Sequence, residues 1–169
     1  NGAVAISDTL VPLAGIDPTE LLDARSLAEL FSLIRKVRVP VIAAVHGRAL
    51  AGGCGLATAS DLVVATRTAR FGYPEVKIGF VPAIVTAFLR RNLSEKRAFE
   101  MLTQGFEFSA EHAFELGLVK KILDEENFDN EVKEYVSVYE KVSRSAVRLT
   151  KQLLYQMDGL AFDRAMDVG

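Results

Sequence analysis

Residues 41–66 read VIAAVHGRALAGGCGLATASDLVVAT, and this stretch decides the fold. An apolar run ends at His46-Gly47, the chain crosses a glycine-rich turn, and an alanine-rich segment follows. The run VIAAV has no polar face, so it predicts a strand covered on both sides. GGCGLATAS (residues 52–60) predicts a helix of small residues, and LVVAT (62–66), entered through Asp61, predicts a second buried strand. Gly52, Gly53 and Gly55 fall where the first strand segment gives way to that helix. A helix start exposes free N–H groups and partial positive charge, and glycine lets a ligand approach that backbone. The turn therefore fits an anion or oxyanion site. Close packing of a helix on a sheet explains the same glycines. No Gly-Lys-Ser/Thr follows, and the spacing is not G-x-G-x-x-G, which argues against a nucleotide site.

Outward from this centre, AVAIS (3–7) predicts a strand, and residues 16–37 predict a helix. Pro18 suits its first turn, Leu22, Leu27, Leu30, Phe31 and Ile34 recur at helical spacing, and Pro40 lies just beyond its end. Residues 69–82 mix a short strand with turns set by Gly72, Pro74, Gly79 and Pro82. Helices are predicted over 83–92, over 94–105 between Ser94 and Gly105, and over 109–117 between Ser109 and Gly117. LVKKIL (118–123) predicts a last strand. From Asn127 the pattern is helical to the end, with a break near Ser143-Arg144-Ser145. The order predicts α/β with parallel strands followed by a helical region. The stripe Val132, Tyr135, Val136, Tyr139 and the stripe Val147, Leu149, Leu153, Leu154 read as core or as subunit contacts.

Composition sets the classes. The chain has 169 residues, half of them apolar, with a formal net charge of −2. No basic block points to nucleic acid. Residues 39–45 form the longest apolar run, far too short to span a membrane. Cys54 is the one cysteine, so an internal disulfide or a cysteine metal cluster is excluded and a reducing compartment is favoured. Asn1-Gly2 does not open a signal peptide, and the pattern stops in mid-course at Val168-Gly169, as in part of a longer chain.

Glu75 follows Pro74 in an apolar and aromatic stretch, FGYPEVKIGF. It is either a helix-start residue favoured by the dipole or a desolvated carboxylate able to act as a base near neutral pH. His46 reads as a hydrogen-bonded strand-end residue, Cys54 as a packed thiol, His112 as a surface residue, and Asp61 as the anchor of the helix-to-strand turn. Tyr73 suits either core packing or a ligand-pocket wall. Arg48 and Lys77 could meet phosphates or simply face solvent.

PVIAAVHGRALAGGCGLATASDLVVAT, ARFGYPEVKIGFVP and SAEHAFELGLVKKIL, in this order across residues 39–123, resemble the enoyl-CoA hydratase/isomerase (crotonase) superfamily. LAGID (13–17) resembles the family's Ala-Gly-x-Asp turn. The resemblance implies a spiral of ββα units over residues 1–125, its N-terminal part incomplete, and a truncated helical trimerisation region over 126–169. It implies acyl-CoA substrates, with coenzyme A arriving as part of the substrate and neither metal nor redox cofactor required. It also implies a homotrimer or homohexamer, in the cytoplasm or, in a eukaryote, the mitochondrial matrix. Carried over by position, the N–H groups of Ile16 and Gly52 form the oxyanion hole, Glu75 is the acid/base, and Ala14, Gly53, Gly55, Tyr73 and Pro74 bind substrate. Hydratases of the family usually carry two glutamates. The second falls on Glu75 and the first on Gly55, which leaves one titratable group. That tilts the expectation towards proton transfer between carbons, with hydration close behind. Two further departures are the bulky Ala83, Ile84 and Val85 after Pro82, and residues 8–13 before Ala14. The alternatives are a non-catalytic CoA-ester-binding or structural member, or thioester hydrolysis or decarboxylation on the same oxyanion hole.

Overall fold

The computed structural model describes residues 24–169. The expected strand at residues 3–7, the start of the first helix, and the Ala14 and Ile16 assignments lie outside the described residues. The described chain opens on helix α1 (Ala24–Lys36) and continues through β1 (Ile42–Val45), β2 (Arg48–Leu50) and α2 (Gly52–Ala59). Next come β3 (Leu62–Thr66), β4 (Arg70–Gly72), a 3-10 turn (Pro74–Ile78) and α3 (Ala83–Asn92). These are two successive strand–strand–helix units. The first strand of each unit goes to one sheet and the second to another. Sheet one has the order β1-β3-β6, with β6 at Lys121–Leu123, and is parallel throughout. Sheet two has the order β2-β4-β5, with β5 at Glu107–Ser109. There β2 and β4 are parallel, while β4 and β5 are antiparallel.

The two-sided apolar run behaves as its composition dictates. Ala43 and Val45 of β1 enter the main core, with Val63, Ala65, Phe71 and Leu89. Ile42 and Ala44 face the other way, with Val64 and Leu123. That second face is covered by α6 (Phe128–Ser137), which brings Phe128, Val132, Tyr135 and Val136, and by Tyr139 just beyond it. The first C-terminal stripe is therefore core. The second, on α7 (Arg144–Gln156), is largely open, with Leu149 and Leu154 exposed.

Helix α4 (Glu95–Gln104) runs from Ser94 to Gly105, and Gly105 takes the left-handed conformation, φ 61°. Helix α5 (Ala110–Glu115) starts at Ser109, whose hydroxyl accepts the His112 N–H. The strands Arg48–Leu50 and Glu107–Ser109 were not expected. At three residues each, they are too short for a periodic pattern, and β4 supplies their pairing from a distance. The break at Ser143 is real, and Ser143 caps α7 by accepting the Ala146 N–H. A second break at Gly159, φ 79°, sets off α8 (Phe162–Val168) and was likewise not expected.

Asp61 does anchor the turn between α2 and β3, through a wider net than the sequence indicates. Its Oδ2 accepts the Val41 N–H at 2.7 Å and pairs with Lys151 Nζ at 2.6 Å, and the Tyr155 hydroxyl donates to Oδ1. Lys151, 8% exposed, also donates to the carbonyls of Ile34 at 2.8 Å and Val39 at 2.9 Å. One ammonium thus ties α7 to α1, to the approach to β1 and to the α2–β3 turn. Lys151→Met keeps the packing and removes all three donors. Asp61 keeps its Val41 and Tyr155 partners, so the expected loss is about 2–3 kcal/mol of folding stability, read by denaturant unfolding. An unchanged midpoint would show that the net contributes nothing.

Candidate active site

The two parallel strands of sheet two end side by side, Leu50 opposite Gly72. Each then turns into one half of the site. Leu50 leads through Ala51 into the N-terminus of α2, and Gly72 leads through Tyr73 into the 3-10 turn that carries Glu75. The Ala51 N–H donates to the Gly72 carbonyl at 2.9 Å and ties the two exits together. Ligand sites of parallel sheets form at such carboxyl ends.

Ala51 is the one described non-glycine residue with positive φ, at φ 50° and ψ −124°. A residue held there stores about 1–3 kcal/mol of strain, at the entrance to the glycine turn. The first-turn N–H groups of a helix have no intrahelical acceptor, and α2 has no side-chain cap. A Cβ at Gly53 would meet nothing within 4 Å, and one at Gly52 would meet only Leu27 at 3.7 Å. The N–H of Gly52 therefore sits at an open, positive helix end.

Glu75 comes from the first turn of Pro74–Ile78, where Pro74 supplies the fixed φ. Its Oε2 is buried and has no hydrogen-bond partner among the described residues. The carboxylate is near enough to Cys54 and Tyr73 to act on both electrostatically, as a smaller influence beside burial. Gly105 sets the height of this turn, because a Cβ there would come within 2.9 Å of Val76 and 3.3 Å of the Tyr73 carbonyl. The left-handed glycine of α4 thus lets the Glu75 turn sit down on α4.

Tyr73 is wholly buried, and its hydroxyl lies 2.5 Å from Thr58 Oγ1, which donates to the Cys54 carbonyl at 2.8 Å. Burial raises the Tyr73 phenol well above its ordinary range, and the neighbouring Cys54 and Glu75 add to this. Tyr73 thus packs in the core and braces α2 against the Glu75 turn. Cys54 is 1% exposed, and burial pushes its thiol up to about 12. A thiol so placed is no nucleophile at neutral pH.

Gly55 faces the ring of Phe31. A Cβ at this position would lie 2.9 Å from Cζ and 3.0 Å from Cε2, and 3.7 Å from Val85 Cγ2. Phe31 is 1% exposed and meets Phe88 edge-on, with centroids 5.7 Å apart at 86°. Phe31 thus fills the space that a side chain at 55 would enter. In the sequence it is simply one member of the α1 stripe, and nothing local marks a contact across 24 positions. Val85 and Ile84, the bulky residues after Pro82, pack on this side too, Val85 against Gly55 and Ile84 in the Phe31 cluster.

The remaining candidates lie elsewhere. His46 pairs with Glu125 at 3.4 Å and packs on Phe128, and His112 pairs with Glu115 at 3.6 Å on an exposed helix. Arg48 is ion-paired to Glu107, and Lys77 is exposed. Among the described residues, no group of three or more His, Cys, Asp or Glu side chains is placed to hold a metal, and no helix is long and apolar enough to cross a membrane.

The spiral of strand–strand–helix units, with an uncapped glycine helix end tied to the strand that leads into the Glu75 turn, defines a class of enzyme-like fold. The family profile for enoyl-CoA hydratase/isomerase matches residues 19–166, and the chain belongs to that family. A Thermus thermophilus protein assigned as an enoyl-CoA hydratase is 42% identical over 138 residues, covering 82% of this chain and 54% of that protein. The crotonyl-CoA hydratase of Syntrophomonas wolfei is 37% identical over 141 residues, covering 83% of this chain and 54% of its own length. The enoyl-CoA hydratase structure from Mycobacterium smegmatis superposes with a TM-score of 0.82 at 35% identity, over 85% of this chain and 56% of that one. The chain thus spans about half the length of the relatives it matches.

Proposed function

We propose that this chain carries the reacting half of an acyl-CoA enzyme that moves a proton along an enoyl thioester. The N–H groups of Ile16 and Gly52 hold the thioester oxygen as it gains negative charge. Glu75 removes a proton at C2 of a 3-enoyl-CoA, and the electron pair delocalises through the carbonyl as a dienolate. The same carboxyl group returns the proton at C4, leaving the 2-enoyl isomer. Gly53 keeps the approach to the α2 backbone clear, Gly55 lets Phe31 close the far side, and Ala14, Pro74 and the Tyr73 backbone border the acyl group. The sequence requires no metal or redox partner; coenzyme A comes with the substrate. The open apolar side chains Leu149, Leu154, Phe162 and Met166 suit subunit contacts in a homotrimer or homohexamer.

The observation that carries this reading is the pairing of a buried, unpartnered Glu75 Oε2 with a Gly55 position closed by Phe31. One carboxylate suffices to shuttle a proton between carbons, whereas holding and splitting water usually takes two in this family. Hydration is the second reading, favoured by the names of the Thermus and Syntrophomonas relatives. The test is single turnover of 3-enoyl-CoA and of 2-enoyl-CoA in deuterated water. Conversion of the 3-enoyl ester to the 2-enoyl ester, with the C4 proton carried over from C2 rather than drawn from the deuterated solvent and with no 3-hydroxyacyl product, is expected. Prompt 3-hydroxyacyl-CoA formation would replace isomerisation by hydration. Tight ester binding without turnover would favour a non-catalytic member.

A further inference from the structure

A cavity of about 760 Å³ opens at the entry to β1, between residues 38–40 and the α6–α7 region. It includes none of the residues assigned to the Glu75 site, and its size falls in the range of small-ligand pockets. Three arginines line it, Arg38, Arg144 and Arg148, with one acidic residue, Glu140. Arg35, Arg48, Arg67 and Arg91 each have a carboxylate partner. Among the described residues, Arg38, Arg144 and Arg148 have no ion pair or hydrogen bond, and Arg148 Nε is buried with no acceptor.

Three separate features of this cavity favour an anion. Arg144 and Arg148 lie one turn apart on α7 and repel each other. Arg144 also sits in the first turn of a thirteen-residue helix, where positive charge opposes the dipole. A buried guanidinium N–H without an acceptor loses its hydration with nothing in exchange. A single anion offsets all three. The paired N–H groups of arginine match the oxygens of phosphate in two-point contacts. Tyr139, Val136 and Val147 form the apolar remainder of the wall. We infer that this cavity binds a small molecule with a phosphate or pyrophosphate head and an apolar body, the head held by Arg38, Arg144 and Arg148.

Inorganic pyrophosphate is the probe, titrated calorimetrically into the full-length protein at fixed ionic strength. Saturable binding is expected. It should weaken about ten-fold or more when Arg144→Gln and Arg148→Gln are combined, retain part of its strength in Arg148→Lys, and be unchanged in Glu75→Gln. The circular dichroism of each variant checks that α7 is intact, and Arg148→Lys keeps the test valid should the double variant fold poorly. Absence of saturable binding at low-millimolar pyrophosphate overturns the inference. So does an affinity indifferent to the arginine substitutions, or an equal effect from sodium chloride at matched ionic strength.

Discussion

Glu75→Gln is expected to lower turnover of an enoyl-CoA by about 10²–10⁴-fold, the usual contribution of a positioned acid or base, while the ester still binds. The substitution keeps the shape of the side chain and removes its capacity to take a proton. What makes it informative is that Glu75 Oε2 has no hydrogen-bond partner among the described residues. A carboxylate recruited for stability would be paired, as Asp61 is by Lys151, Val41 and Tyr155. Glu75→Gln should therefore leave the unfolding midpoint unchanged or slightly raised, because a buried carboxylate without a partner costs more than a neutral amide in its place. The activity and the stability readouts thus separate two roles. Lost turnover with retained stability assigns Glu75 to the chemistry. Turnover within a few-fold of the parent protein, or a large loss of stability, would remove Glu75 as the base.

The strands that decide the fold were legible because their composition leaves few options. VIAAV has no polar face, and the structure covers both faces of β1, with the main core on one side and α6 on the other. Gly105 and Ser109 were legible as helix boundaries because each does local work: a turn of left-handed backbone at Gly105, a captured N–H at Ser109; Ser94 marks the start of α4 without a side-chain cap. The small residues of α2 could be read either as packing or as a ligand approach, and the structure sets them in different surroundings. Gly55 packs under Phe31, while Gly52 and Gly53 face open space. What escaped the sequence is long-range. The ladder that places Leu50 beside Gly72 joins residues 22 apart, and Lys151 meets Asp61 across 90. The arginines of the second cavity come from the two ends of the described chain. No periodicity or spacing encodes such meetings; packing decides them.

The Phe31–Gly55 contact makes the sharpest demand on the proposed chemistry. Gly55→Glu would restore a second carboxylate at the position where hydratases of the family usually have one, yet it is not expected to restore hydration. The new Cβ alone would lie 2.9 Å from a ring that is 1% exposed and wedged against Phe88. The carboxylate beyond it would enter an apolar cluster of Phe31, Ile34, Val41 and Ile84. An uncompensated buried charge of this kind costs about 3–5 kcal/mol, so the single variant should be strongly destabilised by denaturant unfolding and should form no 3-hydroxyacyl product. Phe31→Ala alone opens a cavity and costs about 3–5 kcal/mol as well. Combined, the two substitutions fill each other's defect, since the glutamate takes the space the ring leaves. The double variant should therefore be more stable than the sum of the singles predicts, by about 1–3 kcal/mol, and it is the one in which hydration of a 2-enoyl-CoA should first be detectable. A Gly55→Glu protein with the parent midpoint and hydratase turnover would show that Phe31 is no barrier, and single-carboxylate chemistry would then rest on Gly55 alone.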